Sequence, residues 1–329
     1  MITMKEIGKI AGVSQPTVSA VLNNKDYCYV SEAKKKLVLE TAHKLGYMPN
    51  LNSRALLGLS TNTIGICSSL FSVPISTKLI SDVTHEIWKH GYQTLLGDTL
   101  AEKKREEALI REFLSRGVDA LILSCAREEG ELEAIMNRKI PVVIVGHTPE
   151  KDNCAYSTVS IDKRKGGFLA TEHLIRHGHE NIAFVTNDVI PNSLKFGGAE
   201  DALAASGINR KNLILIEDEN INKLLSKSLE LILEKKVKAF FASNDIIAAK
   251  LIKFFQQNRL NIPKDAAVIG FDGLEWSSLL NPSLTTIVQP VEELAVKLVD
   301  LLMEKIREPE KDLEKHILIE PKLIIRDSC

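Results

Sequence analysis

Cysteine is sparse in this 329-residue chain: Cys28, Cys67, Cys125, Cys154 and Cys329 are scattered, odd in number and never spaced as CxxC. That pattern excludes a disulfide framework and suggests no zinc site, so free thiols are expected. No run of eighteen apolar residues occurs, and the N-terminus lacks the basic-then-apolar order of a secretion signal. Neither a membrane span nor export is expected, and the reading places the protein in the cytoplasm. The glycine patterns that cradle a phosphate or present a nucleophile are also missing, since GxGxxG, GxxxxGK and GxSxG do not occur. His173 and His177 would share a helix face, with His179 close by, but no acidic or cysteine ligand completes a metal set. No cofactor, no metal and no enzyme activity are expected. Cys125 and Cys154 read as buried thiols rather than redox sensors, and EKKREE (102–107) as a solvated helix face.

What the chain does carry is a soluble globular composition, 44% hydrophobic and 26% charged, over a length sufficient for two or three domains. Its N-terminal stretch MKEIGKIAGVSQPTVSAVLN (4–23) reads as two short helices pivoting about Gly12. Ile7, Ile10 and Ala11 on one side, and Val13, Val18, Val21 and Leu22 on the other, recur at helical spacing and form faces that can pack together. Ser14 stands at an N-cap position and Pro16 lies in the first turn, where a missing N–H costs nothing. Gln15, Thr17, Ser19, Ala20 and Asn23 fall on the outward face, short groups able to approach a base edge or a phosphate. The pattern predicts a helix-turn-helix, with a buried helical hairpin as the plain alternative.

A third helix follows in SEAKKKLVLETAHKLGY, capped by Ser31, with Ala33, Leu37, Val38, Ala42 and Leu45 as its apolar stripe and Gly46 at its end. Pro49 stops helix from running through, and the segment opening at Asn50, NLNSRALLGLS, is too short to fold alone. The limits expected are a head over 1–48, a hinge over 49–60 and a body over 61–329. Residues 1–60 hold eight basic against four acidic residues, a surplus of +4 that leaves −5 for the remainder of a chain of net charge −1. A positive head on a negative body suits docking on phosphates in one orientation.

From Thr63 onward, short β-branched runs alternate with amphipathic stretches. Strands are expected at 63–70, 93–98, 119–124, 141–146, 181–186, 212–217, 237–243 and 266–272, with helices near 78–90, 102–116, 128–139, 198–206, 223–235 and 245–257. That alternation predicts an α/β body of doubly wound parallel sheets in two similar halves, with a cleft between them.

The motif I-x-x-x-x-I-A-G-V-S-x-x-T-V-S-x-V-L-N, then V-S-x-x-x-x-x-x-V-L-E-T-A-x-x-L-G-Y-x-P-N, resembles the DNA-binding head and hinge of the lactose-repressor (LacI/GalR) family of bacterial transcription regulators. VSIDKRKGGFLATEHLIRHGHENIAFVT (159–186), FFASNDIIAAK, VIGFDG and PSLTTIVQP extend the resemblance through the body, which is similar to periplasmic sugar-binding proteins. A plain solute-binding protein would lack the head and carry a secretion signal.

The resemblance implies a sequence-specific regulator, most simply a repressor, that binds a pseudo-palindromic double-stranded DNA operator as a homodimer. Without a leucine-rich tail after HILIEPKLIIR, a dimer rather than a tetramer is expected. Gln15, Pro16 and Ala20 would read bases. Thr3, Ser14, Thr17, Ser19, Asn23, Ser31, Tyr47 and Asn50 would lie near phosphate or sugar, and Leu56 would wedge into the minor groove. Ala20 stands where many relatives carry arginine, which implies that discrimination at that base is weakened or replaced by contact with a thymine methyl, and hence a distinct operator. Asn244, Asp272 and Gln289, with Lys195 at a place usually held by arginine, would contact a small-molecule effector, a sugar or related metabolite, in the cleft. Val189, Pro191, Gly146 and DENINK (218–223) depart from the family pattern there. A cleft controlled by a protein co-regulator is therefore the alternative.

Overall fold

In a computed structural model of the protein, the described residues are 2–23, 29–48, 54, 58–68, 73–100, 102–124, 140–146, 156–187, 193–308 and 315–329. They divide into two compact units, Met1–Thr61 and Asn62–Cys329.

The first unit is built from α1 (Met4–Ala11), α2 (Gln15–Leu22) and α3 (Glu32–Lys44). Thr3 starts α1 with a reciprocal cap: its hydroxyl accepts from the Glu6 N–H at 3.3 Å while its own N–H donates to Glu6 Oε2 at 2.7 Å. The bond from the Thr3 N–H, together with one the Thr3 hydroxyl donates to the same Glu6 oxygen at 2.9 Å, holds the Glu6 carboxyl below its ordinary range. Gly12 ends the helix at φ 63°, a left-handed turn that glycine adopts without a Cβ penalty. Gly8 lets the turn close, since a methyl there would stand 2.7 Å from the Val13 carbonyl oxygen. Ser14 caps α2 by accepting from the Thr17 N–H at 3.3 Å. Ser31 holds the extended N-cap backbone of α3, but its side chain makes no cap hydrogen bond.

Ile7, Ala11, Val18, Val38 and Ala42 form the buried centre of this unit, with Val13, Val21, Leu22 and Leu45 packed around it. Three expected core positions are not in it, for Ile10 is 60% exposed, Leu37 is 43% exposed and Ala33 is exposed as well. With three helices of at most thirteen residues, the core spans a single stripe on each. Residues flanking that stripe stay wet.

The second unit runs β1 (Thr63–Ser68), α4 (Pro74–Lys89), β2 (Gln93–Asp98), α5 (Lys103–Ser115), β3 (Ala120–Ser124), β4 (Val142–Val145) and β5 (Ser157–Ile161). It continues through α6 (Lys163–Arg176), β6 (Ile182–Thr186), α7 (Ser193–Ala205), β7 (Leu213–Glu217), α8 (Ile221–Leu233), β8 (Ala239–Ala242), α9 (Asp245–Gln257) and β9 (Ala267–Asp272). It closes with β10 (Thr285–Val288), α10 (Val291–Arg307), β11 (His316–Ile319) and β12 (Lys322–Ile324). Two six-stranded sheets result, ordered β11-β5-β4-β3-β1-β2 and β12-β10-β9-β8-β6-β7. Every pairing is parallel except β10 with β12. Each sheet is covered on both faces by a buried apolar cluster, as parallel strands require. The helix expected at 128–139 lies outside the described residues.

The halves are not consecutive in the chain. After β5 the chain crosses to the second sheet at Asp162, returns after β10 through Gln289 and Pro290 so that α10 and β11 join the first lobe, and crosses back after Ile319. In the second lobe, α6 and α7 meet so closely that a methyl at Gly167 would stand 2.0 Å from the Lys195 carbonyl oxygen, and one at Gly198 1.9 Å from that of Arg164. The KGG sequence is thus a helix-crossing device. The C-terminus is tied down by Ser328, whose hydroxyl donates to the Val268 carbonyl at 2.6 Å and accepts from the Thr285 N–H at 2.9 Å.

Candidate functional site

In the first unit, the capped start of α2 presents Ser14, Gln15 and Pro16 to solvent, with Thr17 and Ser19 half-buried behind them. Thr3 and Ser31 are outward at the starts of α1 and α3, and Tyr47 is half-buried, its phenol pushed up by burial. Asn23 donates to the Ser19 carbonyl at 2.8 Å, and its amide oxygen accepts from the Arg54 guanidinium, which also donates to the Ser60 carbonyl at 2.8 Å.

Ala20 departs from expectation. It is 1% exposed, so its methyl does not stand on an open face ready for a thymine. The residue one turn on, Asn23, is gripped by Arg54 from beyond α3, which shows that chain outside the helix pair lies against this end of α2. A helical period places Ala20 away from Val18 but carries no information about such cover. Asn50 and Leu56 lie outside the described residues.

In the second unit, strand C-termini and helix N-termini of both sheets converge on an interlobe cavity of about 410 Å³. Lys195, Asn244, Asp272 and Gln289 all line it. Lys195, in the first turn of α7, is 7% exposed; its ammonium donates to the Ser243 carbonyl at 2.6 Å and sits 3.9 Å from the centre of the Phe271 ring. Asn244 caps α9 through Oδ1, which accepts from the Ile247 N–H at 2.9 Å. Asp272 ends β9 at φ 117°, a conformation unfavourable for a residue with a Cβ, and its carboxylate accepts from Gln289 Nε2 at 2.7 Å. That bond joins a strand end of the second lobe to the segment crossing back to the first.

Behind the cavity, Asp245 is fully buried. It accepts from the Thr286 hydroxyl at 2.5 Å and the Leu274 N–H at 2.7 Å, so one carboxyl fixes α9, β10 and the turn after Asp272. Burial lifts it to about 7.

Lys163, Lys250, Asn187 and Ser243 also line the cavity and were not nominated from the sequence. The usable signal was position: each sits at or just beyond a strand end or in the first turns of the following helix, the places a parallel sheet turns toward its cleft. Gly146 lines the cavity as well, and Ile221 does so just after the DEN of DENINK. Val189 and Pro191 lie outside the described residues.

The rings of His173 and His177 lie 4.3 Å apart, centre to centre. His177 donates from Nδ1 to the His173 carbonyl at 2.8 Å, and burial lowers both His173 and His179. Among the described residues, no three metal-ligating side chains converge. Cys67 is a buried thiol outside any disulfide. Among the described residues, no helix is long and apolar enough to cross a membrane.

A helix-turn-helix head joined to a two-lobed α/β body with a cleft is the build of a DNA-binding transcriptional regulator. A family model for bacterial regulatory proteins of the lacI family matches residues 3–50, and one for a periplasmic binding protein-like domain matches 171–329. The chain is 31% identical to the HTH-type transcriptional repressor PurR of Aliivibrio fischeri, covering 100% of this chain and 98% of that one. It is also 31% identical to the ribose operon repressor of Escherichia coli, with 100% of both covered. Among solved structures, the complex of the transcriptional regulator CelR with cellobiose matches with a TM-score of 0.71 at 25% identity over 100% of both chains. The lac repressor dimer bound to operator and an anti-inducer shares the fold, with a TM-score of 0.86 at 21% identity over 99% of this chain and 98% of that one. The protein belongs to the lacI family of bacterial regulatory proteins and is a sequence-specific DNA-binding transcriptional regulator.

Proposed function

We propose that this regulator represses a metabolic operon in the cytoplasm, binding a pseudo-palindromic operator as a homodimer and changing its DNA affinity when a small molecule occupies the interlobe cavity. The observation that carries the effector half is the convergence of Lys195, Asn244, Asp272 and Gln289 on one cavity between lobes. An occupant preferring one lobe angle shifts the balance between DNA-competent and incompetent states by its difference in affinity for the two.

In the DNA half, the head is 1–48, the hinge 49–60, and the two-lobed body from 61 holds the dimer together. Gln15 and Pro16, open at the start of α2, are the base-reading pair. Thr3, Ser14, Thr17, Ser19, Asn23, Ser31, Tyr47 and Asn50 surround the backbone, and Leu56 is the minor-groove wedge. For the Asn23 amide oxygen to face DNA, Arg54 must first release its grip. One short head reads few base pairs, so useful affinity comes from two heads on one site. Selecting preferred duplexes from random DNA, with and without a metabolite extract, tests both halves. Enrichment of a two-fold symmetric site that the extract alters supports the proposal, and equal retention of all sequences defeats it.

A further inference from the structure

The charge around the cavity is unbalanced. Among its described lining residues Lys163, Lys195 and Lys250 are cationic, and Asp272 is the one acidic group. The backbone adds to this, because α4, α6, α7, α8, α9 and α10 all begin at the cavity wall with a residue of their N-cap or first turn. In a parallel sheet the helices that follow the strands aim their N-termini at the same rim, and each N-terminus carries roughly half a positive charge. Of the acidic groups at those helix starts, Asp245 is turned inward to Thr286 and the Leu274 N–H, Glu292 pairs with Lys78 at 3.1 Å, Glu293 is exposed, and Asp162 caps α6 by accepting from the Lys165 N–H at 2.7 Å.

A second feature points to an occupant. Ser243, 1% exposed, lines the cavity, and its buried hydroxyl has no hydrogen-bond partner among the described residues. A buried hydroxyl left unmatched costs on the order of 1–3 kcal/mol, which a ligand oxygen reached by a turn of the Ser243 side chain would recover. The walls add a third. No aromatic residue is among the described lining side chains, where aliphatic groups such as Ile75, Val145, Ile161, Ile221 and Ile246 predominate. Among those described side chains none offers a flat face for a purine or pyrimidine ring to stack on.

We infer that the effector is a small aliphatic anion: a hydroxylated carbon skeleton bearing a phosphate or carboxylate, its charge met by the lysines and helix starts and its hydroxyls by Asp272, Gln289 and Ser243. This rests on the reading of the cavity as the effector site and gives that site its ligand class. The test uses the full-length protein with matched probes at constant ionic strength: ribose and glucose, their terminal phosphates, and ribonate and gluconate, with sodium sulfate as the plain-anion control. Thermal shift and titration calorimetry are expected to show stabilisation by at least one phosphorylated or carboxylated probe over its neutral parent, and which of the two arms responds identifies the charged group. Lys250→Gln, at the exposed rim, is expected to weaken that probe about fivefold and leave a neutral sugar unaffected. Lys195→Gln is expected to weaken it further, and Lys163→Gln serves if the Lys195 variant fails to fold. A neutral sugar binding as tightly as its charged derivatives overturns the anion class while leaving a small-molecule effector in place. Sulfate matching the best probe also overturns it. No probe binding, with operator binding intact, overturns both the class and the small-molecule reading.

Discussion

At Gly167 the absence of one methyl decides how two helices of the second lobe meet. A Cβ there would overlap the Lys195 backbone at 2.0 Å, so α7 must move if Gly167 becomes alanine. Overpacking of this kind costs about 1–3 kcal/mol, and here it also displaces a cavity lysine. Gly167→Ala is therefore expected to lower the urea midpoint and to weaken effector binding together, measured by denaturation and calorimetry. Asp245 makes a prediction of a different kind. Its carboxyl is lifted by burial from 3.8 to about 7, so between those values the folded chain holds a proton that the unfolded chain has released. Stability from this group is then greatest in acid, declines as pH rises through about 4 to 7, and levels off above. Asp245→Asn removes the titration, so the variant's stability is expected to change less across that window than the parent's, read from urea midpoints at several pH values.

Among the elements, α2 is short and depends on its start. Ser14→Ala removes the acceptor for the Thr17 N–H and is expected to cost about 1 kcal/mol of head stability and to weaken operator binding, checked by denaturation and gel shift. Elements whose signal is local were legible in the sequence. The runs that became β1 to β4 and β6 to β9 are short, largely apolar and bounded by turns, and α9 follows the expected 245–257 because Asn244 caps it at the junction. Strand β5 was not read, since STVSI mixes hydroxyls with apolar residues while being buried throughout, leaving neither alternation nor a clean apolar run. Strands β11 and β12 are only four and three residues long and pair with partners distant in sequence, so nothing local marks them. The cavity shows the same division. Asn244, Asp272, Gln289 and Lys195 were nominated through the family resemblance, whereas Lys163, Lys250 and Ser243, though inside quoted motif stretches, were not, because nothing local shows that two sheets turn the same ends toward each other. Ala20 failed in reverse, its exposure being set by what lies across α2.

For the whole molecule, charge is distributed unevenly, with a surplus of +4 in the first sixty residues of a chain whose net charge is −1. Binding by two such heads should release many phosphate counterions. Affinity for the selected operator is expected to fall on the order of 10³-fold between about 50 and 200 mM salt, measured by titration at several salt concentrations. A slope near zero would count against a phosphate-gripping head. The body has its own constraint in the three crossings between its lobes, at Asp162, at Gln289 with Pro290, and after Ile319. A single tether would let two lobes twist, slide and gape independently. Three strands of backbone restrain most of those motions and leave chiefly a clamshell bend, so whatever closes on an occupant does so along one coordinate. Because Gln289 sits in one of those tethers and is bonded to Asp272 at the neighbouring strand end, a molecule arriving in the cavity would act directly on the axle about which the lobes turn.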